Sequence, residues 1–417
     1  MSDDGQLRRS QRALIAATGA DSVAVGAILP ALPFIVLALG AGPFGLGVMI
    51  AATAVAGTVG APLWGMLADR YGTRRLLLTA PLVAASGHVL FALSTTYPML
   101  LAGRVVAGFG TAVVLLAQTH ATLTVSDDAR TAALGRITAA QSVGTILGPA
   151  LGGMLLAYGN VVVGLAAASG PLAAWLLTLL FLPPLRSRAS DGKPRPRQLR
   201  AAAAALRSRE MRWLSVAILL GWLCFMGYSA VLPVELVDRL EITPVVYGYL
   251  VAVSGAVALT VRGFALGRLV KRFGEVRLMT AGALLIAASM VLAPLIPTLW
   301  LAPLLPLTWA FGASLLFPAT VAELSRMAPA GATGLAMGAS VMLSAIGIAV
   351  GPFLAGLVQE FAWRQGPFVG GAVLMVLVAM LVSRGPARRT EPTSDPAPTT
   401  AAPTGDTTTP DKPSFGD

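Results

Sequence analysis

Residues 144–153 read GTILGPALGG, and residues 347–356 read GIAVGPFLAG. Gly144, Gly148, Pro149 and Gly153 of the first segment return as Gly347, Gly351, Pro352 and Gly356 of the second. Both segments lie inside long apolar stretches, where small residues let helix backbones approach closely and an internal proline permits a bend. The match extends outward at an offset of 202–203: Gly65, Arg70 and Gly72 recur as Gly267, Arg272 and Gly274, and Pro30 recurs as Pro233. In a chain with 45 glycines single coincidences are easy. Eight matches in register, with the same order of apolar stretches, mark an internal duplication.

Twelve apolar stretches fill the chain, at 13–39, 44–67, 76–95, 98–121, 132–158, 160–182, 211–237, 245–269, 276–296, 299–323, 333–358 and 366–383. They are numbered spans 1–12 below. A spanning helix needs about 20 apolar residues, so each stretch can cross a bilayer. Of 417 residues 56% are hydrophobic and 12% charged, against about 25% charged in soluble domains. These values exclude a soluble enzyme, a disordered chain and a secreted disulfide scaffold. One cysteine, Cys224, permits no internal disulfide, and two histidines give no metal-binding cluster. The predicted fold is an all-α membrane protein, with twelve transmembrane helices in two pseudo-symmetric six-helix bundles around a central cavity. The predicted units are an N-terminal segment at 1–12, a first bundle at 13–185, a linker at 186–210, a second bundle at 211–385 and a disordered tail at 386–417. The linker is partly helical at 199–209, and the tail is too rich in Pro, Thr and Asp to fold.

Cation placement sets the orientation. With both termini cytoplasmic, 26 of the 30 Lys and Arg residues lie inside and only Arg239 and Arg364 outside, while Arg104 and Arg262 fall within spans. This asymmetry accounts for the formal charge of +11 without nucleic acid as a partner. Trp213, Trp300 and Trp363 fall near span ends, where interfacial aromatics belong.

Four segments bear on chemistry. The loop after span 2 reads GMLADRYGTRR, Gly65 to Arg75. Gly65 and Gly72 suit close approach and a tight turn, and Asp69 can pair with Arg70 or Arg74, or with a helix N-terminus. The plainer reading is a topological anchor. Span 4 carries RVVAGFGTA, with Arg104 about 9 Å inside the outer boundary. An unpaired charge deep in the membrane costs about 2.5–3.5 kcal/mol, so Arg104 needs a partner or a wet cavity, unless it snorkels outward. Span 1 carries DSVAVGAILP, with Asp21 the deepest carboxylate. Desolvation disfavours its charge and a nearby arginine favours it, so a conformational change can load and release one proton. The alternative is a structural Asp21 paired with Arg104 or with hydroxyls. Span 5 carries Gly135, Gly144, Gly148, Pro149, Gly152 and Gly153, a hinge or seal, or ordinary small-residue packing. Gln141, Tyr228 and Trp309 are candidate cavity-lining residues, with helix packing the plainer role. His120 and Glu323, at equivalent inner ends of spans 4 and 10, are expected to be solvated.

GMLADRYGTRR resembles the loop 2–3 signature of the major facilitator superfamily, and the resemblance covers nearly the whole chain. RVVAGFGTA resembles that family's span-4 motif, in which a buried arginine is tied to proton coupling. DSVAVGAILP and the complete pattern from Gly135 to Gly153 resemble segments of its drug/proton antiporter branch. The resemblance implies a proton-coupling role for Asp21 and Arg104, an inner gate at Gly65, Asp69, Arg70, Gly72 and Arg74, and an antiporter motif in span 5. In the second half the Asp69 position is Lys271, and the gating role is not carried over there. No Walker A segment, no H-E-x-x-H and no Ser/His/Asp arrangement is present, so no enzyme, cofactor or metal is expected. The expected function is proton-coupled efflux of a small amphipathic organic compound, powered by the proton gradient and performed by a monomer in a bacterial inner membrane. A metabolite or lipid carrier of the same fold is the alternative, and a transport-dead membrane sensor or scaffold a distant one.

Overall fold

A computed structural model describes residues 3–183, 209–327 and 333–384. Of the expected helix at 199–209 only Arg209 is among the described residues, and the tail from 386 lies outside them. Twelve helices are long and apolar enough to cross a membrane: Gly5–Ala38, Pro43–Tyr71, Thr73–Ala92, Tyr97–Thr124, Ala132–Leu156, Asn160–Phe181, Met211–Leu240, Pro244–Phe273, Glu275–Leu295, Leu299–Met327, Ala336–Phe361 and Gly366–Ser383. They are spans 1–12 in the expected order, so the protein crosses the membrane many times. Among the described residues there is no strand. We call the end holding the N-terminus the basic end and the other the far end.

The helices outrun the apolar stretches where polar residues still propagate a helix. The segment at 3–12 is not a separate unit. It is helical from Asp3, and buried Ser10 donates a hydrogen bond to the Phe181 carbonyl at 3.0 Å, docking it on the end of span 6. Span 2 runs through Arg70 to Tyr71 and stops at Gly72, whose φ of +86° reverses the chain directly into span 3. Gly274, φ +79°, repeats that turn between spans 8 and 9. Four spans are not α-helical throughout: spans 9 and 10 carry 3-10 turns at Ala293–Leu295 and Leu299–Leu301, and spans 4 and 8 are interrupted internally. Span 4 breaks between Tyr97–Gly110 and Val113–Thr124, next to Gly110, where a β-carbon would lie 2.7 Å from Ala84 Cα. Span 8 contains a π-helical segment at Val261–Ala265. Trp300 and Trp363 are exposed at far-end positions and Trp213 near the basic end, as the interfacial reading expects.

Glycines decide which helices touch. A β-carbon at Gly148 would lie 2.5 Å from the Val23 carbonyl oxygen, so spans 5 and 1 meet backbone to backbone. Gly351 stands in the same way against the Leu223 carbonyl, joining spans 11 and 7. The last glycine of each repeat instead crosses between halves. Gly153 abuts Gly248 Cα and the Pro244 carbonyl, where a β-carbon would sit 2.7 and 2.8 Å away. Gly356 abuts the Pro43 carbonyl. Each therefore packs on the first residue of the facing helix, Pro244 of span 8 or Pro43 of span 2.

These crossings lie at the far end, which is closed. There the Phe44 ring meets Phe353 and Phe361 edge-on, each at 5.5 Å between centroids. The Phe44 N–H donates to Glu360 Oε2 at 2.8 Å. Span 8 caps its own N-terminus with Thr243. Span 2 begins after Gly42, which has no capping side chain, and takes its cap from Glu360 of the other half. Toward the basic end the same four helices diverge. Gly65, Gly135, Gly267 and Gly338 each face open space, and Val59, Phe264 and Val341 are exposed. Among the described residues the two halves touch at the far end and part toward the basic end.

Two outcomes follow from this packing. Gly148→Ala is expected to lower stability by about 1–3 kcal/mol, the cost of overpacking. Gly135→Ala should be neutral or stabilising by up to about 1 kcal/mol. Thermal unfolding of the purified variants checks the contrast, and equal effects would contradict the packing account. Glu360→Ala removes a cap worth about 1 kcal/mol, a roughly fivefold shift toward far-end opening. Labelling of a cavity cysteine, Ser229→Cys in a Cys224→Ser background, by an impermeant maleimide added at the far end should accelerate by that factor. An unchanged rate would remove Glu360 from the closure.

Candidate functional site

The buried interior is unlike in the two halves. The second half has one large apolar core running from Met211 through Met279 and Phe317 to Val382, with a small cluster at Val261, Leu278 and Leu315 beside it. The first half divides its core mainly between two clusters. The core around Trp64, Leu76 and Leu116 lies toward the basic end, and that around Ile28, Phe91 and Leu100 toward the far end. Asp21, with Thr18 and Ser22, lies between them on span 1, and all three are buried.

Asp21 is 3% exposed. Its turn is gripped from two sides. A β-carbon at Gly144 would lie 2.5 Å from Ser22 Cβ, and one at Gly170 would lie 2.5 Å from the Ala20 carbonyl oxygen. Spans 5 and 6 are thus seated on the residues flanking the acid. Among the described residues no hydrogen bond or ion pair to its carboxylate is found. At offset 203 the second half has Cys224 there.

Arg104 is 6% exposed and does not pair with Asp21. Helix rise explains the separation: Arg104 lies seven residues, about 10 Å, from the far-end start of span 4, and Asp21 about 25 Å from the far end of span 1. Arg104 faces span 3 instead. Its neighbour Gly103 would place a β-carbon 2.7 Å from Phe91 N, and Gly87 is in contact with Ala107. His88, beside Gly87, is buried and within electrostatic reach of Arg104. Arg104 Nε and His88 Nδ1 both lack a hydrogen-bond partner. The nearness of Arg104 to His88 has no local signal in the sequence, because it depends on how two glycine-rich faces meet.

Arg74 and Arg70 of loop 2–3 make their contacts within the first half. Arg74 Nε donates to the Leu182 carbonyl at 2.5 Å and its Nη2 to the Leu179 carbonyl at 3.4 Å, capping the end of span 6. The Arg70 guanidinium stands 5.3 Å over the Tyr71 ring. Asp69 is partnered. His120 is not solvated as expected. It is fully buried, and Nδ1 shares a 2.8 Å hydrogen bond with Thr73 Oγ1. In the second half the equivalent joint is ionic: Arg326 pairs with both Glu275 and Glu323. Thr73 and Glu275 are offset by 202, so one joint is built twice with different chemistry.

Between the halves is the central cavity, of about 200 Å³. Leu29, Pro33 and Ile50 line it from the first half, and Tyr228, Tyr247 and Trp309 from the second. Tyr228 and Trp309 are among the residues of its wall. Gln141 is not among the lining residues, since it lies 12 residues, about 18 Å of rise, from Gly153 at the far end of span 5. Tyr247 was missed, because an aromatic near a span start reads equally well as an interface anchor.

The family model of the Major Facilitator Superfamily matches residues 14–309 and 235–411. Over 394 residues the chain is 28% identical to the class C tetracycline resistance protein of Escherichia coli, covering 90% of this chain and 98% of that one. It is 24% identical to multidrug resistance protein 2 of Bacillus subtilis (strain 168), covering 85% and 89%. A solved bacterial homologue of the human lysosomal transporter Spinster superposes with a TM-score of 0.72 at 15% identity, over 91% of this chain and 95% of that one. That last likeness bears on the fold alone. The duplicated twelve-helix architecture, its central cavity and the family match over most of the chain place the protein in the Major Facilitator Superfamily, as a membrane transporter.

Proposed function

We propose that the protein exports a small amphipathic organic compound in exchange for protons, by rocking its two halves about the central cavity. The observation that carries this reading is Asp21: a buried carboxylate held between two glycine contacts, without a counter-charge among the described residues, in only one of two duplicated halves. A buried unpaired carboxylate is costly when ionised, and the cost falls if the conformation changes its access to water. Rocking that exposes span 1 to each side in turn loads and discharges a proton. Arg104 keeps a role in coupling, as a fixed positive charge acting beside His88 and not through an ion pair with Asp21.

The orientation supports outward transport. The basic end is assigned to the cytoplasm by the positive-inside rule, so the conformation described is open to the cytoplasm and ready to take a compound from inside. The relatives named as resistance proteins favour the same direction. One proton falling through about 100 mV supplies about 2.3 kcal/mol, enough for a roughly fifty-fold gradient from the electrical part alone. Within this cycle loop 2–3 forms an inner gate. Its Arg74 holds span 6 in the open state, and Asp69 and Arg70 stand at the end that must close.

Proton flux in inside-out vesicles, scanned against a panel of lipophilic compounds, tests this reading. With wild type, a substrate should collapse the pH gradient. With Asp21→Asn the response should fall at least tenfold, and Asp21→Glu should restore part of it. Equal responses from wild type and Asp21→Asn would make Asp21 structural and sink its role as carrier.

A further inference from the structure

The walls of the central cavity differ in kind. The first half supplies aliphatic surface, at Leu29, Pro33 and Ile50. The second adds the lining's aromatic residues, Tyr228, Tyr247 and Trp309, among further aliphatic ones. Phe225 and Trp309 stack at 4.1 Å with planes 5° apart, and Trp222 and Phe317 stack at 4.3 Å. Phe225 and Phe317 meet edge-on at 5.0 Å, so the four rings form one rigid block, and Trp309 carries it to the cavity. None of the lining residues is charged. Asp21, Arg104 and Arg262 all lie outside the lining.

The polar groups of the wall can be accounted for one by one. Tyr228 Oη is bonded to Ser289 Oγ at 2.9 Å, and Ser289 in turn donates to the Leu305 carbonyl. Ser229 Oγ donates to the Met226 carbonyl and Ser254 Oγ to the Leu250 carbonyl. Two groups are left. Trp309 Nε1 is a buried donor without an acceptor, and among the described residues Tyr247 Oη has no hydrogen-bond partner. An indole N–H only donates, and a phenol donates readily. The wall therefore offers two unengaged donors, has only hydroxyl oxygens as side-chain acceptors and carries no counter-charge.

We propose that this cavity binds an uncharged, compact aromatic compound bearing a carbonyl or ether oxygen, stacked on the Trp309 side and accepting hydrogen bonds from Trp309 Nε1 and Tyr247 Oη. The proposal rests on the export reading, for which it names the substrate class. Cations are disfavoured on magnitude. An aromatic face returns to a cation only part of what its removal from water costs, unless it is also paired. A neutral ring without an acceptor is disfavoured because a site built to donate a hydrogen bond discriminates against an analogue that cannot accept it.

Equilibrium binding of radiolabelled 10-methylacridone to the purified full chain tests this by scintillation proximity, with 10-methylacridinium and anthracene as competitors. The three share one ring framework and differ in charge and in the carbonyl. The neutral ketone is expected to bind at least tenfold more tightly than either competitor. Trp309→Phe keeps an aromatic ring and removes the N–H, and should cost several-fold in ketone affinity. Ile50→Glu, on the aliphatic wall, should improve acridinium competition at least tenfold, a gain that misfolding cannot mimic. Competition by acridinium or anthracene equal to the ketone, no ketone binding to folded wild type, or unchanged affinity in Trp309→Phe would overturn the proposal. Binding at equilibrium needs no gradient. Loss of coupled flux with the binding order intact counts against the export reading alone, and intact flux with the wrong order counts against this one.

Discussion

Backbone-to-backbone contact at glycine is the constraint on which the rest depends. In lipid the apolar effect that joins helices in water is absent, and close packing takes its place. Gly148 and Gly351 seat span 5 on span 1 and span 11 on span 7, which defines each half. Gly153 and Gly356 then seat each half on the other, against Pro244 and Pro43. One repeat thus supplies both the rigid joints and the movable seam. Among the described residues the seam is closed at the far end and parts toward the basic end. The far-end closure includes a polar link between halves, the Glu360 cap on span 2.

Duplication has left the halves with different work. The first keeps buried ionisable groups, Asp21, His88, Arg104 and His120. The second has replaced the acid with Cys224 and gathered the aromatic block around Trp309. In the proposed cycle charge handling falls to the first half, away from the cavity lining, and compound recognition to the cavity wall of the second. A rocking motion moves one side against the other, which is the mechanical link an exchanger requires. Arg239 and Arg364 fit the same division. Both bind the buried Glu235 at the far end of the second half, at 3.6 and 3.1 Å, fixing that half as a unit.

Much of this was legible in the chain because it depends on period and length. Twelve apolar runs, the offset of 202–203 and the cation asymmetry needed no coordinates. Gly72 was read as a turn, and its positive φ bears that out. Misreadings came where depth or facing mattered. Asp21 and Arg104 looked like partners because both are intramembrane charges, yet helix rise sets them at different levels. His120 looked solvated because it ends an apolar run, yet the Thr73 side chain reaches over it. Gly65 and Gly135 belong to the motifs but touch nothing in this conformation, since motif membership does not say in which state a contact forms. The Glu360 cap joins residues 316 apart in sequence, and no local signal announces it.

The central claim is that the glycine seam makes opening at one end and closure at the other a single event. It is tested most directly by paired distance measurements in liposomes, using spin labels in a Cys224→Ser background. One pair, Ala41→Cys with Trp363→Cys, spans the far end, and another, Tyr71→Cys with Phe273→Cys, spans the basic end. Under a proton gradient with a transported compound, the far-end distance should lengthen while the basic-end distance shortens, in equal populations. Two distances that change independently, or that both stay fixed while transport proceeds, would contradict the account.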